Sequence, residues 1–371
     1  MSNPYAIADT SAIFSPGLVF FRDLIRQNIA LMVEMAGSPA RLRPHAKTHK
    51  TREIARMQLD AGITKHKCAT IAEAEMLASV GVPDVLLSYP VVGPNVGRLV
   101  ALVRRYPACR FSVLVDHSDS AEALSRGFAG AGEIDVMLDV DVGQHRTGIP
   151  PGPEAQALYE QIARLPGLRP AGLHVYDGHN HQEGIDERKQ TALTQLEPAL
   201  NLRDRLEKAG LPVPRLVVGG TPTFPVYARL DLPGLECSPG TLVLHDHGYG
   251  SRFADLAGFV PAALLLTRVV SRPSVTRVTF DLGYKAVASD PPAGKRLRML
   301  GLPAHEAVLQ NEEHLVLEMP DASGFRPGDE ALAIPTHICP TVAMHQFAYV
   351  IEGGKLSEKW EIVGRNRVLV V

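Results

Sequence analysis

Cysteine is scarce in this chain. Four of its 371 residues are cysteines, Cys68, Cys109, Cys237 and Cys339, widely spaced and with no CxxC pair. That excludes a disulfide framework and fits free thiols in a reducing compartment. Long hydrophobic runs are missing too: no apolar stretch approaches the ~20 residues needed to span a bilayer. The opening residues, MSNPYAIADTSAIFSPG, lack the basic head and apolar core of a secretory signal. Neither sign of charge dominates. Lys and Arg number 38 against 40 Asp and Glu, a formal net charge of -2, which leaves no global electrostatic case for nucleic acid or an anionic membrane. The expectation is a soluble, cytoplasmic protein that engages neither.

What is present is alternation. From about residue 20 to about residue 245, short β-rich runs (RLRPHAKT, KHKCAT, DVLLSYP, RFSVLVD, IDVMLDVDV, AGLHVYDG, RLVVGG, LECSPG) are separated by helical patterns such as TREIARMQLDAG and NVGRLVALVRRY. Such alternation indicates βαβ units and a parallel sheet. A doubly wound open sheet also alternates, but about eight repeats in ~220 residues match the size of a closed barrel. After about residue 256 strand-like runs follow one another with little helix between them, for example AALLLTRVVS, HLVLEMP, EALAIP and FAYVIEGG. The expected fold is α/β: a (β/α)8 TIM-type barrel over residues 20–255, and a mostly antiparallel β domain from residues 256–371 joined by residues 1–19.

Barrels carry their chemistry where strands end on the C-terminal face. By that rule Lys47 ends the first strand, within Arg43-Pro44-His45-Ala46-Lys47-Thr48-His49-Lys50. Positive neighbours disfavour a charged amine, and a neutral amine attacks an aldehyde, so Lys47 is where a Schiff base to pyridoxal phosphate is expected. Arg146 follows the fifth strand, Tyr176 and His179 the sixth. Gly219, Gly220 and Thr221 follow the seventh, and Gly240 and Thr241 the eighth, where glycine-rich loops commonly bind phosphate. Taken singly, each residue reads equally as a turn or a rim residue; their joint placement on one face is the argument. In the second domain His337 and Cys339 stand two apart in an expected strand, and so on one face. Imidazole and thiolate suit a borderline divalent metal, with water or substrate completing an open, catalytic site; taken alone, HxC reads more readily as a buried cysteine beside a rim histidine.

Several longer motifs occur in order: RPHAKTHKT, ITKHKCATIAEAEMLASVGVPDVLLSYP, DVGQHRTG, GLHVYDGH, GGTPTF, ECSPGT, NEEH and PTHICPT. Over nearly its whole length the chain resembles the D-threonine aldolase and D-serine dehydratase family, which shares the alanine-racemase-like barrel of pyridoxal phosphate enzymes. The resemblance implies pyridoxal phosphate on Lys47, with Arg146 and Tyr176 near its ring. It implies a phosphate cradle of Gly219, Gly220, Thr221, Gly240 and Thr241, and a divalent metal (Mn, Mg or Zn) on His337 and Cys339. It also implies a homodimer and a β-hydroxy-D-amino acid as substrate. His179 is the expected base at the β-hydroxyl for cleavage to glycine and an aldehyde. In the alternative, D-serine or D-3-hydroxyaspartate dehydration, Lys47 removes the Cα proton and the metal assists hydroxide departure. Some aldolases of the group carry aspartate where this chain has Cys339, which separates the two chemistries less sharply. A third reading is a pyridoxal phosphate carrier without turnover. Glu312, Glu313 and His314 stand outside the core site, as a solvated acidic turn or as residues meeting a partner's site.

Overall fold

The computed structural model describes residues 3–371. Strand β1 (Gly17–Phe21) is followed by α1 (Arg22–Ala36), which leads into the first of two compact units. That unit takes Met32–Lys47, Arg52–Gly240 and Asn366–Val371; the other takes the residues up to Leu31, Thr48–Thr51 and Thr241–Arg365.

The first unit is built on seven parallel strands in sequence order: β2 (Lys65–Cys68), β3 (Asp84–Pro90), β4 (Arg110–Val115), β5 (Ile134–Val140), β6 (Leu168–Val175), β7 (Leu216–Val218) and β8 (Leu235–Cys237). The helices α2 (Arg52–Asp60), α3 (Ile71–Ser79), α4 (Asn95–Arg105), α5 (Ser118–Phe128), α6 (Pro153–Arg164), α7 (Ile185–Lys208) and the short α8 (Phe224–Tyr227) alternate with them. The expected first strand, RLRPHAKT, is not a regular strand. Pro44 has no N–H to give a ladder, and the segment pairs only through parallel bridges, Leu42 to Cys237 and His45 to Lys67. Those two bridges join it to both edges of the sheet and close a ring of eight.

Local sequence explains the elements. Thr70 caps α3, its hydroxyl accepting from the Glu73 N–H at 3.1 Å while the Glu73 carboxylate takes the Ala69 N–H at 2.7 Å; such a cap contributes about 1 kcal/mol. Leu86, Leu114, Met137, Ala171 and Val217, one from each of five strands, form a buried cluster. At the strand starts the filling is ionic instead: Arg43, fully buried, reaches Glu236 at 2.5 Å and Asp84 at 2.7 Å, and Arg215 reaches Asp135 at 2.7 Å. Truncating one member would leave a buried charge uncompensated, which typically costs 3–5 kcal/mol. Gly172 in β6 lies so near the next strand that a Cβ would sit 2.0 Å from the Arg215 carbonyl oxygen.

The second unit holds one nine-stranded sheet. It adds β9 (Ala263–Ser271), β10 (Arg277–Phe280), β11 (Leu297–Met299), β12 (Glu306–Asn311), β13 (His314–Glu318), β14 (Glu330–Pro335), β15 (Phe347–Glu352) and β16 (Lys355–Glu361). The path is β12-β13-β10-β9-β1-β15-β16, with β14 paired to β9 and β11 to β14. All pairings are antiparallel except β1 with β15. The N-terminal strand thus joins this sheet, as expected. Ile13, Val19, Phe21, Leu264, Leu266, Ile334, Tyr349 and Ile351 form its core. Two short helices complete the unit, α9 (His247–Gly250) and α10 (Ile338–Met344).

Candidate functional site

Lys47 emerges from the bridging segment beside β2. Its backbone N–H is taken by His45 Nδ1 at 3.2 Å. Ser88 gives its hydroxyl proton to the Cys68 carbonyl and so accepts from His45 Nε2, 3.3 Å away. The imidazole therefore fixes the turn that presents Lys47. Three cations gather on the ring of Tyr176, just past β6. The Lys47 amine lies 6.0 Å from the ring centroid, the Lys67 amine 5.7 Å, and the Arg146 guanidinium carbon 5.1 Å. Arg146 is held by a pinned loop, in which Asp141 accepts from the Gly143 and His145 N–H groups and Asp116 from that of Gly148.

Sequence reasoning missed Lys67, His174 and Asp139. Asp139 accepts from His174 Nδ1 at 2.6 Å, so the ring presents a bare Nε2 to the Lys67 amine at 3.2 Å. All three are buried. Burial, then the charge of Lys47, pushes Lys67 down to about 7 against the pull of Asp139. Strand alternation carried the one available signal: His174 stands two before Tyr176 and shares its face, and a lysine in a barrel strand that is not at its end is unusual.

The loops after β7 and β8 also converge on this place. Gly219 has φ +69°, and a Cβ there would lie 2.6 Å from the Tyr227 ring; a Cβ on Gly220 would lie 3.2 Å from the Tyr176 ring. Gly240 N–H reaches the Thr221 hydroxyl at 3.3 Å. The Ser238 hydroxyl is buried without a partner. Glycines where a side chain would clash, an orphaned hydroxyl and clustered cations fit a phosphorylated aromatic aldehyde. Asp177 closes the back of the site. It is fully enclosed and accepts from the Tyr227 hydroxyl at 2.7 Å, the Thr223 hydroxyl at 2.9 Å and the Asn180 amide at 3.2 Å. Burial pushes its carboxyl pKa up, and those three donors oppose the rise. His179 Nε2 meets the Gln195 amide nitrogen at 2.9 Å, while its Nδ1 is buried with no partner.

Thr241, expected in the phosphate cradle, belongs to the second unit, where its hydroxyl lies 3.7 Å from Cys339 Sγ. Thr48, one residue after Lys47, also belongs there, 3.2 Å from the same sulfur. The expected strand through His337 and Cys339 is a correction: β14 stops at Pro335, His337 is the N-cap of α10, and Cys339 lies in its first turn. Pro340 is the cause, since proline suits a first helical turn and not a ladder. The pair still meets. Burial lowers the His337 pKa, but its hydrogen bond to Cys339 and the Asp290 carboxylate lift it to about 9. Asp290 accepts from His337 Nδ1 at 2.6 Å, leaving Nε2 and the sulfur as a donor pair for a metal, with the carboxylate orienting the ring. Among the described residues no group of three or more His, Cys, Asp or Glu is arranged to hold a metal ion. The pair is thus an open site or none. Glu312 and Glu313 both take the Lys285 ammonium at 2.8 Å in the exposed turn before His314.

A parallel barrel with an amine-bearing loop, an aromatic ring flanked by cations and glycine-rich loops at its strand ends matches the alanine-racemase-like barrel class. Comparison with known proteins gives the same answer. Residues 22–243 match the family model described as "Alanine racemase, N-terminal domain", and residues 262–351 the "Putative serine dehydratase domain". The chain belongs to this family of pyridoxal phosphate lyases, alongside the D-threonine aldolases and D-serine dehydratases. A D-threonine aldolase of Arthrobacter sp is 30% identical over 98% of this chain and 94% of its own. The crystal structure of D-threonine aldolase from Filomicrobium marinum superposes with a TM-score of 0.87 at 30% identity, covering 95% of this chain and 96% of that one. D-threo-3-hydroxyaspartate dehydratase from Delftia sp. HT23 superposes with a TM-score of 0.82 at 26% identity, covering 94% and 97%. A cysteine-to-alanine mutant of a D-threo-3-hydroxyaspartate dehydratase is described in the metal-free form. Among the described residues no helix is long and apolar enough to cross a membrane.

Proposed function

We propose that this protein is a pyridoxal phosphate- and divalent-metal-dependent aldolase that cleaves β-hydroxy-D-amino acids of the D-threonine type to glycine and an aldehyde. One observation carries the reading: the Lys47 amine and Arg146 share the ring of Tyr176, in a chain that aligns along its length with a D-threonine aldolase. Bound pyridoxal phosphate supplies an electron sink for the charge left at Cα, and a divalent metal supplies a Lewis acid for the β-hydroxyl.

The chain's own residues do the rest. Lys47 anchors the aldehyde and exchanges the Cα proton at its amine. Arg146 and Tyr176 orient the ring. The Gly219–Gly220–Thr221 turn, Gly240 and Thr241 let the phosphate approach the backbone closely, and the Ser238 hydroxyl donates to it. His337 Nε2 and Cys339 Sγ hold the metal (Mn, Mg or Zn), with Asp290 fixing the imidazole. His179 handles the β-hydroxyl oxygen. The protein works as a cytoplasmic homodimer. A dehydratase acting on D-serine or D-3-hydroxyaspartate is the second reading. The likeness to D-threo-3-hydroxyaspartate dehydratase supports it.

The test is incubation with D-threonine and D-serine, with metal supplied or chelated. Glycine and acetaldehyde from D-threonine support the aldolase. A keto acid and ammonia support the dehydratase. No turnover of either substrate, with cofactor still bound, would point to a carrier.

A further inference from the structure

The side chains behind His179 form a chain of hydrogen bonds whose direction is set at one end. Three groups converge on Asp177, which is how an ionised carboxylate, an acceptor only, is satisfied. The Asn180 amide therefore turns its NH2 toward Asp177 at 3.2 Å. The same nitrogen lies 2.9 Å from Gln195 Oε1. An NH2 group facing Gln195 requires an oxygen there, so Gln195 turns its own NH2 the other way, to His179 Nε2 at 2.9 Å. An amide NH2 only donates. Nε2 must then be the bare, accepting nitrogen of a neutral imidazole, and the proton sits on Nδ1. Nδ1 is the ring atom that is buried with no partner among the described residues. The Asn180 amide oxygen is likewise left over, as expected if its nitrogen serves both contacts. Flipping any one amide puts two donors or two acceptors face to face at the next junction.

Backbone geometry protects the arrangement. Gly143, with φ +123°, packs against the hydrogen bond itself: a Cβ there would lie 3.0 Å from His179 Nε2 and 3.6 Å from the Gln195 amide nitrogen. The Thr223 hydroxyl accepts from the Gly220 N–H at 3.3 Å and donates to Asp177. The same carboxylate thus anchors both the glycine loop and the imidazole.

We propose that Asn180 and Gln195 are positioning residues that transmit the polarity of Asp177 to His179, so that its unpartnered Nδ1 is a proton donor. On the functional reading above, on which this role rests, His179 meets the substrate as a neutral electrophile. It holds the β-oxygen by a donated hydrogen bond and steadies charge developing there, the kind of role a neutral imidazole serves at a carbonyl oxygen. An imidazole fixed in this tautomer offers no lone pair at Nδ1, so on this reading the hydroxyl proton passes to the Lys47 amine, which returns it at Cα.

The experiment is nitrogen-15 NMR of histidine-labelled holoenzyme without substrate at neutral pH, with a His179→Gln variant to assign the ring. A protonated-type signal for Nδ1 and a bare-type signal for Nε2 are expected. The reverse pattern, or protonation of both nitrogens, overturns the proposal. In Gln195→Glu the new carboxylate only accepts, so Nε2 gains a proton and its signal becomes the protonated type; in Gln195→Leu the two tautomers mix. A Gln195→Glu protein that keeps the wild-type pattern refutes the relay. Failure to cleave D-threonine would sink the functional reading and leave the tautomer as measured, so the two failures are distinguishable.

Discussion

Lys67 should make the stability of this protein depend on pH in a way that one substitution removes. Its amine is buried, bonded to a neutral His174 and close to the charge of Lys47, and is pushed from 10.5 down to about 7. The unfolded chain keeps that proton until about pH 10.5, while the folded chain gives it up near pH 7. The unfolded state binds more protons across this window, so stability rises with pH. The shift is roughly 3.5 units, or ~5 kcal/mol for the full titration at 1.36 kcal/mol per unit. From about pH 7 to about pH 9 the share gained is ~2–3 kcal/mol. For a unit of ~200 residues that raises Tm by roughly 4–12 °C. Lys67→Met keeps the length and removes the proton. It strands His174 Nε2 and so lowers Tm somewhat at every pH, but the slope is the diagnostic. The assay is scanning calorimetry of cofactor-stripped wild type and variant at several pH values. Groups shared by both proteins cancel in the difference. Parallel Tm profiles over this range would refute the assignment of a displaced amine pKa to Lys67.

Other outcomes follow from the same geometry. Lys47→Ala abolishes turnover and the visible imine absorbance of bound cofactor, while a spectrum unchanged on substitution would refute the anchor. Chelation, or His337→Ala, lowers activity at least tenfold and leaves the imine absorbance intact, whereas an EDTA-insensitive enzyme would remove the metal from the reading. Gly219→Ala imposes a left-handed backbone on an L side chain, at a cost of ~1–2 kcal/mol, and drives a Cβ to 2.6 Å from Tyr227; weaker cofactor affinity is expected, read as an increased Kd by titration of the absorbance. Asp246 accepts the Ile338 N–H, and burial pushes its pKa up to about 6. Its folded pKa lies above the unfolded 3.8, so the second unit gains stability as pH falls toward 4 through this group alone, and Asp246→Asn should flatten that part of a Tm profile.

Much of the plan was legible in the residues. The alternation of strand and helix announced the barrel, because each βαβ unit carries its own periodicity. The change in texture after about residue 256 announced the second sheet for the same reason. Lys47, Arg146 and Tyr176 were expected together because barrel strands deliver their ends to one face, and the structure gathers the Lys47 and Arg146 cations on the Tyr176 ring. HxC was misread as strand: spacing of two fits an extended chain, and only the preference of Pro340 for a first helical turn spoke against it. The unregistered pieces were those that depend on pairing across distance. Lys67, His174 and Asp139 come from three strands, and nothing local ties them together.

The sequence by itself determined the two architectures, the strand-end residues and the composition that excludes membrane spans and disulfide scaffolds, because each is written in short-range periodicity or in residue counts. Tertiary structure alone decided how the ring nitrogens of His174, His337 and His179 are turned. Asp139 turns His174, Asp290 turns His337, and Gln195 turns His179, through partners 35, 47 and 16 residues away. Hydrogen-bond polarity is a property of contacts, and contacts between distant residues exist only once the chain has folded.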